Sequence, residues 1–205
     1  PAIVKDPSIV RSITYSELRE LAYMGINIVY EDVILLMEKS GIPTRIRNIH
    51  HHEDIGTLIT KELPENVKRD IVACIVGRRN YKVIHIRKFG MNKTVGIWEK
   101  VFGVFTSRNI SCEHYLSGIY QFSIVVKSPM FDLKREEIIQ ALNDAIQPED
   151  IEIQKDLSLI AVIGHGMGTV KGIFAKMFDA LAAANIKVRL IEQGGDDSNI
   201  LLGVY

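Results

Sequence analysis

The segment Gly-His-Gly-Met-Gly from Gly164 to Gly168 has the composition of a turn that presents backbone N–H groups to an anion at the start of a helix. Its spacing matches neither nucleotide-binding fingerprint. A phosphate loop ends in Lys-Ser or Lys-Thr, and a dinucleotide fold has its third glycine three positions after the second. Two interpretations follow: tight packing between a strand and a helix, or binding of the carboxylate of a small amino acid.

Glu113 is a candidate partner for the ammonium group of the same kind of ligand. It follows Cys112 on a predicted strand of otherwise apolar or neutral residues, and we expect it near the start of the helix that carries Met91 to Trp98. There the backbone N–H groups would take the carboxylate of a zwitterion while Glu113 takes its ammonium group. An exposed glutamate at a strand end is the alternative interpretation.

Metal ligands and nucleophiles are less well supported. His50 to Asp54 reads His-His-His-Glu-Asp, but neighbours on an extended chain point to alternate sides, so we predict a solvated loop and no metal site. Cys74 and Cys112 lack a paired spacing such as Cys-x-x-Cys and are predicted to be small buried side chains. No residue resembles a nucleophile beside its base, so no catalytic residue is predicted.

Composition excludes several classes of protein. The 205 residues are 47% hydrophobic, which is enough for the core of one large or two small domains without disulfides. The 25 basic and 25 acidic residues cancel, so neither nucleic acid nor an anionic membrane is expected as a partner. Two cysteines, and no apolar run near the roughly 20 residues of a membrane span, predict a cytoplasmic protein.

An internal repeat organises the second half of the chain. Two segments match without gaps at a spacing of 76 residues, pairing Gly90 with Gly166, Gly96 with Gly172, Lys100 with Lys176, Phe102 with Phe178 and Asn109 with Asn185. Each copy predicts an apolar strand, a glycine turn, an amphipathic helix and two further strands. In the second copy the predicted apolar stripe of the helix is Ile173, Met177, Ala180 and Leu181.

The first copy continues into a predicted helix, Arg135 to Ile146, and a strand, Ile151 to Ile153. That order is β-α-β-β-α-β, the ferredoxin-like split unit. The second copy stops one helix and one strand short, at Tyr205. We expect the unpaired strand Ile71 to Val76 to cross back and complete the second sheet.

The first sixty residues have a different pattern. Ser16 is the expected N-cap of a helix from Glu17 to Met24, followed by a strand Ile26 to Tyr30, a helix Asp32 to Lys39 and a strand Thr44 to Asn48. This α/β alternation is too short to hold a core alone.

These segments resemble a known family. Ile13 to Gly25, Gly41 to Asn48 and Gly56 to Ile59 resemble the end of the aspartokinase catalytic domain. The repeats are similar to the tandem ACT domains that follow it, with effector-site and second-ACT motifs at Asn109–Glu113, Ser117–Ile119, Val162–Met167 and Ile191–Gly194. The implied fold is α+β with α/β: tandem ferredoxin-like (βαββαβ) ACT domains preceded by the tail of an α/β amino-acid-kinase domain.

The resemblance also implies boundaries and an activity. Residues 1–62 correspond to the catalytic tail, 63–80 to a linker and the strand of the second sheet, 81–155 to the first ACT domain and 156–205 to a truncated second one. The parent enzyme phosphorylates L-aspartate with MgATP on the route to lysine, threonine and methionine. The family's Lys-Phe-Gly-Gly nucleotide loop is absent from these residues, so the chain alone is expected to be inactive and to need no cofactor.

Carried onto this sequence, the family's effector site comprises Met91, Thr94, Gly96, Ile97, Trp98, Cys112, Glu113 and Ser117. A second set in the other ACT domain is Met167, Val170, Gly172, Ile173 and Gln193. The implied effector is lysine, with threonine as the alternative, bound at the interface of a homodimer. An ACT dimerisation module without ligand is the other interpretation.

Overall fold

The computed structural model describes residues 8–64, 70–195 and 198–205. The start of the predicted catalytic tail, residues 1–7, and residues 65–69 of the predicted linker lie outside that part. The described residues form two compact units, one from residues 8–78 and 160–204 without the gaps just named, and the other from residues 79–159 with 205. Within the described ranges, no helix has both the length and the apolar character needed to cross a membrane.

The N-terminal segment forms a small three-stranded sheet with two helices. Its elements are β1 (Ser12–Thr14), α1 (Tyr15–Tyr23), α2 (Glu31–Ser40), β2 (Thr44–Ile46) and β3 (Thr57–Thr60). The strand order is β1-β3-β2, with β1 parallel and β2 antiparallel to β3. The predicted α/β alternation is present, but the strand expected at Ile26 to Tyr30 is not formed.

The start of α1 differs from the prediction. Thr14, not Ser16, is the N-cap, and it forms a capping box in which its hydroxyl accepts from the N–H of Glu17 and the Glu17 carboxylate accepts from the N–H of Thr14. A capping box needs an acidic or amide side chain three residues after the cap. Thr14 has Glu17 at that position, whereas Ser16 has Arg19, so the helix begins two residues before the predicted start.

The repeats build a second, six-stranded sheet. Its elements are β4 (Cys74–Arg87), α3 (Ile97–Thr106), β5 (Cys112–Ser117), β6 (Gln121–Lys127), α4 (Ser128–Asp132), α5 (Arg135–Ile146), β7 (Asp150–Ile163), α6 (Ile173–Ala183), β8 (Val188–Gln193) and β9 (Asn199–Val204). The strand order is β5-β6-β4-β7-β9-β8. The part β5-β6-β4-β7 has the order of a ferredoxin-like unit, which confirms the predicted α+β fold.

Strands β4 and β7 are each longer than predicted. Strand β4 has 14 residues and includes Cys74 to Val76 of the strand expected at Ile71 to Val76, together with the apolar strand predicted to open the first copy; Ile71 to Ala73 precede it. Strand β7 also has 14 residues. Ala73 N–H donates to Ile163 O (2.8 Å). This bond places the chain before β4 next to the second repeat, as expected for a strand that crosses back.

The sequence repeat is also a repeat of backbone conformation. Left-handed φ angles recur at the same spacing: Gly90 and Gly166 (73° and 76°), Gly96 and Gly172 (76° and 82°), Asn109 and Asn185 (56° and 53°). The register also shifts at the same place in both hairpins, between Cys112 and His114 and between Val188 and Leu190.

Each repeat has its own apolar core. In the first, sheet residues such as Ile84, Ile86, Phe122 and Ile124 pack against Val101 and Phe105 of α3 and Ile138 and Leu142 of α5. In the second, Val162, Met167, Ile173, Ile200, Leu202 and Val204 form the core. Of the stripe predicted on α6, only Ile173 is buried, and Ala180 is exposed. No second helix follows α6 in the described chain, so less of its surface is covered.

Gly164, the first residue of the glycine turn, lies against the chain that precedes β4. A Cβ at this position would lie 1.9 Å from the carbonyl oxygen of Ile71. We expect Gly164→Ala to lower the free energy of unfolding by at least about 2 kcal/mol, because a backbone atom cannot rotate away as a side chain can.

Gly103→Ala on α3 is the matched control for Gly164→Ala. An added Cβ there meets nothing within 4 Å. We expect a gain of up to about 1 kcal/mol, because alanine favours a helix over glycine. Urea denaturation of both variants measures the two effects, and a Gly164→Ala chain as stable as the unsubstituted one would contradict the packing argument.

Candidate functional site

Five of the predicted effector-site residues lie in the turn between β4 and α3 and at the start of α3. Gly90 opens a short 3₁₀ turn, Met91–Lys93, and Gly96 is the N-cap of α3. The Thr94 hydroxyl donates to Gly90 O (3.0 Å), which fixes the turn. Gly96 has no side chain with which to cap α3, so the helix itself gives the backbone N–H groups of its first turn no partner.

These five residues divide by burial. Met91 and Ile97 belong to the apolar core of the first repeat, whereas Thr94 and Gly96 are exposed. Trp98 is half-buried in an aromatic cluster, with ring centroids 4.8 Å from Phe122 and 5.7 Å from Tyr115. Thr94 and Gly96 therefore offer contacts to a ligand, while Met91 and Ile97 hold the turn to the core.

A cavity of about 310 Å³ adjoins this turn. Its lining includes Thr94 and Ile97 of the predicted set, the lysines Lys88 and Lys100, and residues 144–147 at the end of α5. The lysines supply positive charge and Asp144 supplies a carboxylate. Such a lining suits a small molecule that carries both charges.

The three predicted residues on β5 lie at opposite ends of that strand. Ser117 pairs with Phe122, which in turn pairs with Ile86 near the end of β4 and the turn. Cys112 pairs with Val126 at the other end, five residues away, which is about 16 Å along a strand. Ser117 is therefore the β5 residue next to the turn.

The expectation that Glu113 lies beside the start of α3 in the same chain is wrong. Helix α3 runs back along the sheet for 10 residues, about 15 Å, before the chain enters β5. Glu113 follows the end of the helix rather than its beginning. Distance along the sequence did not reveal this, because it depends on the direction of the helix.

Glu113 is nevertheless an unusual carboxylate. It lies at the register shift between Cys112 and His114, its side chain is only 5% exposed, and its Oε1 is 3.3 Å from Nζ of Lys127. The alternative of an exposed glutamate at a strand end does not apply. Lys127 was missed from the sequence, because its nearness to Glu113 depends on the register of β5 against β6.

Cys112 lies beside this carboxylate. Burial, and secondarily the negative charge of Glu113, raises the pKa of the Cys112 thiol to about 11. Both effects disfavour the thiolate. The side chain packs against the core of the first repeat, in line with the predicted role of a small apolar residue.

The second predicted set, around the turn before α6, likewise contains both buried and exposed residues. Met167 and Ile173 belong to the second core, Val170 is half-buried, and Gly172 and Gln193 are exposed. This set remains a prediction.

The histidine-rich segment is an exposed loop. His50, His51, His52 and Glu53 are all exposed, and Nδ1 of His51 is 3.5 Å from the Glu53 carboxylate. Among the described residues, no group of three or more His, Cys, Asp or Glu side chains could hold a metal ion.

The raised pKa of Cys112 predicts slow alkylation. With a pKa of about 11, only about one thiol in a thousand is ionised at pH 8, and the thiolate is the reactive form. We expect iodoacetamide to label Cys112 at least about a hundredfold more slowly in the folded chain than in urea. The rate should rise up to about pH 11, and Glu113→Gln should increase it slightly by removing the smaller of the two causes.

Peptide mapping by mass spectrometry at several pH values measures this rate for Cys112 alone. A labelling rate that levels off near pH 9 would contradict the shifted pKa.

Comparison with known protein families identifies part of this architecture. Residues 160–205 match the family model described as the ACT domain. Aspartokinase 3 of Bacillus subtilis is 25% identical over 205 residues, covering 100% of this chain and 45% of that protein. The bifunctional aspartokinase/homoserine dehydrogenase of Haemophilus influenzae is 31% identical over 208 residues, covering 98% of this chain and 25% of that protein. The chain thus spans less than half the length of these relatives.

Solved structures agree with the sequence relatives. The aspartate kinase of Clostridium acetobutylicum superposes with a TM-score of 0.92 at 36% identity, covering 98% of this chain and 47% of that chain. E. coli aspartokinase III in complex with lysine and aspartate has the same fold, with a TM-score of 0.73 at 22% identity, covering 97% of this chain and 43% of that chain. Over its full length the chain is homologous to aspartokinases, and it corresponds to their regulatory, ACT-domain-containing portion.

Proposed function

We propose that this chain binds an amino acid effector at the β4–α3 turn of the first ACT domain and thereby regulates an aspartokinase. The observation that carries the proposal is the cavity of about 310 Å³ beside Thr94 and Ile97. The ammonium groups of Lys88 and Lys100 and the uncapped start of α3 suit a ligand carboxylate, and Asp144 suits a ligand ammonium.

Two copies of the chain complete this site. In one chain, Glu113 and the turn lie at opposite ends of β5, about 16 Å apart along the strand. Strand β5 is at the edge of its sheet, and Tyr115 on it is 60% exposed. Antiparallel pairing of two β5 edges about a twofold axis brings the Glu113 end of one copy to the Ser117 end, and hence to the turn, of the other.

L-Lysine is the effector that we propose, with L-threonine as the alternative. The Glu113 carboxylate already lies 3.3 Å from the ammonium group of Lys127, so a ligand ammonium has a matching acceptor there. E. coli aspartokinase III has been crystallised in complex with lysine and aspartate. That protein shares the fold at 22% identity, so the residues of this chain must decide which amino acid binds.

The parent protein, in this proposal, transfers phosphate from MgATP to L-aspartate to form 4-phospho-L-aspartate. Residues 1–62 form the end of its catalytic domain, residues 63–80 the linker and returning strand, and residues 81–155 and 156–205 the two ACT domains. The relatives named aspartokinase support this activity, as does an E. coli aspartokinase III structure with aspartate and ADP. The chain alone is catalytically silent.

Calorimetric titration of L-lysine into the purified chain tests the effector site. We expect saturable binding, and an affinity at least about tenfold weaker for Glu113→Gln, because a hydrogen bond to a charged group is lost. Glu136→Gln, an exposed glutamate on α5, is the matched control and should bind as the unsubstituted chain does.

Sedimentation equilibrium of the same mixtures tests whether two copies of the chain complete the site. Lysine should increase the dimer fraction, because a ligand that contacts both copies stabilises their association. If the chain dimerises but gives no heat with lysine or threonine, the ACT domains serve dimerisation only, and the effector proposal fails.

A further inference from the structure

The glycine turn of the second ACT domain already binds a carboxylate. The N–H of His165 donates to Oε1 of Glu17, at 2.7 Å. Glu17 lies on α1 in the N-terminal segment, 148 residues away in sequence, and is fully buried at 0% exposure. An anion therefore occupies the turn, as one interpretation of its sequence suggested, but the chain itself supplies that anion.

The other oxygen of the same carboxylate has a separate role. Oε2 of Glu17 accepts from the backbone N–H of Thr14 (2.7 Å) and from the Thr14 hydroxyl (3.1 Å). One side chain thus caps α1 and also binds the turn of the second ACT domain. Movement of the turn relative to α1 must break a hydrogen bond to a buried charge, which is costly.

The first ACT domain contains the equivalent contact, but a different glutamate supplies the carboxylate. Phe89 lies 76 residues before His165, at the equivalent position, and its N–H donates to Oε2 of Glu149 at 2.7 Å. The Glu149 side chain is 46% exposed, and its Oε1 lies 3.9 Å from Nζ of Lys88. Both turns are therefore carboxylate receptors, but only the first has a carboxylate with ready access to water.

This difference decides where a ligand can enter. At the first turn, a ligand carboxylate displaces Glu149, which water can then solvate. At the second turn, a ligand must displace from His165 a fully buried carboxylate whose other oxygen is bound by Thr14. Exchange is therefore easy at the first turn and strongly disfavoured at the second.

We propose that the second turn is a structural joint rather than an effector site. Glu17 is its positioning residue and fixes α1 of the N-terminal segment to His165. A change in the second ACT domain that moves this turn then moves the start of α1 with it. The claim that a ligand binds at the first turn and not at the second rests on the proposed effector function. The claim that Glu17 fixes α1 to His165 does not.

Amide NMR of the whole chain tests the joint. Glu17→Met keeps the length of the side chain but removes the carboxylate. We expect the His165 amide proton to shift upfield and to exchange at least about tenfold faster relative to the Ala73 amide, which is bonded to Ile163 O in the same unit. Glu149→Met is the matched control and should alter Phe89 instead.

Glu17→Gln provides the same test with a smaller disturbance, because a neutral amide has one acceptor oxygen where the carboxylate has two. Either the His165 or the Thr14 amide should then lose protection. If both amides keep their shifts and exchange rates in Glu17→Gln and Glu17→Met, the joint is refuted.

Titration of the unsubstituted chain with L-lysine, L-threonine and sodium acetate needs no variant. We expect saturable shifts at Phe89 and none at His165. A saturable shift at His165 would make the second turn a ligand site and overturn the proposal. If neither turn responds but Glu17→Met still exposes His165, the effector function fails in this chain while the joint stands.

Discussion

The two long strands β4 and β7 are the constraint on which the repeats depend. Each of these strands has 14 residues, and the hydrogen bonds at the ends of the pair, Ala73 N to Ile163 O and Glu149 N to Arg87 O, require antiparallel pairing. The first repeat takes its first strand from the end of β4 and its last strand from the start of β7. The second repeat uses the start of β4 and the end of β7, so its strand residues come from both sides of the first repeat, which is itself one continuous segment.

The features that depend on local geometry were predictable from the sequence. The glycines at 90, 96, 166 and 172 all have left-handed backbone angles, which few other residues adopt, so their spacing revealed both turns. The amphipathic helix predicted in the first copy likewise packs one apolar face on the sheet. The strand at Ile71 to Val76 was expected to cross back because the second repeat is one helix and one strand short, and this strand had no other partner.

The features that depend on register were not predictable. The sequence places Glu113 at the wrong end of α3 and does not reveal its neighbour Lys127, because both depend on how β5 pairs with β6. The cap of α1 is a different case, because the spacing of Thr14 and Glu17 is visible in the sequence and the choice of Ser16 overlooked it. The contact between Glu17 and His165 joins two segments that no local pattern connects.

The two ACT domains thus share a backbone and differ in charge. A carboxylate with access to water occupies the first turn and a buried one occupies the second. The duplicated domain therefore holds its two carboxylates in different environments, one exposed to water and the other buried. The residue that separates them lies outside the repeat, on α1, so comparison of the two copies alone does not reveal it.

The shared strands also order events on the ribosome. The chain around Ala73 leaves the exit tunnel long before its partner Ile163, because the whole of residues 79–159 lies between them in sequence. The start of β4 therefore waits with an open hydrogen-bonding edge until the second repeat has been synthesised. Such an edge is a template for unwanted pairing with other chains, so a chaperone has most to protect in the interval between the synthesis of Ala73 and that of Ile163.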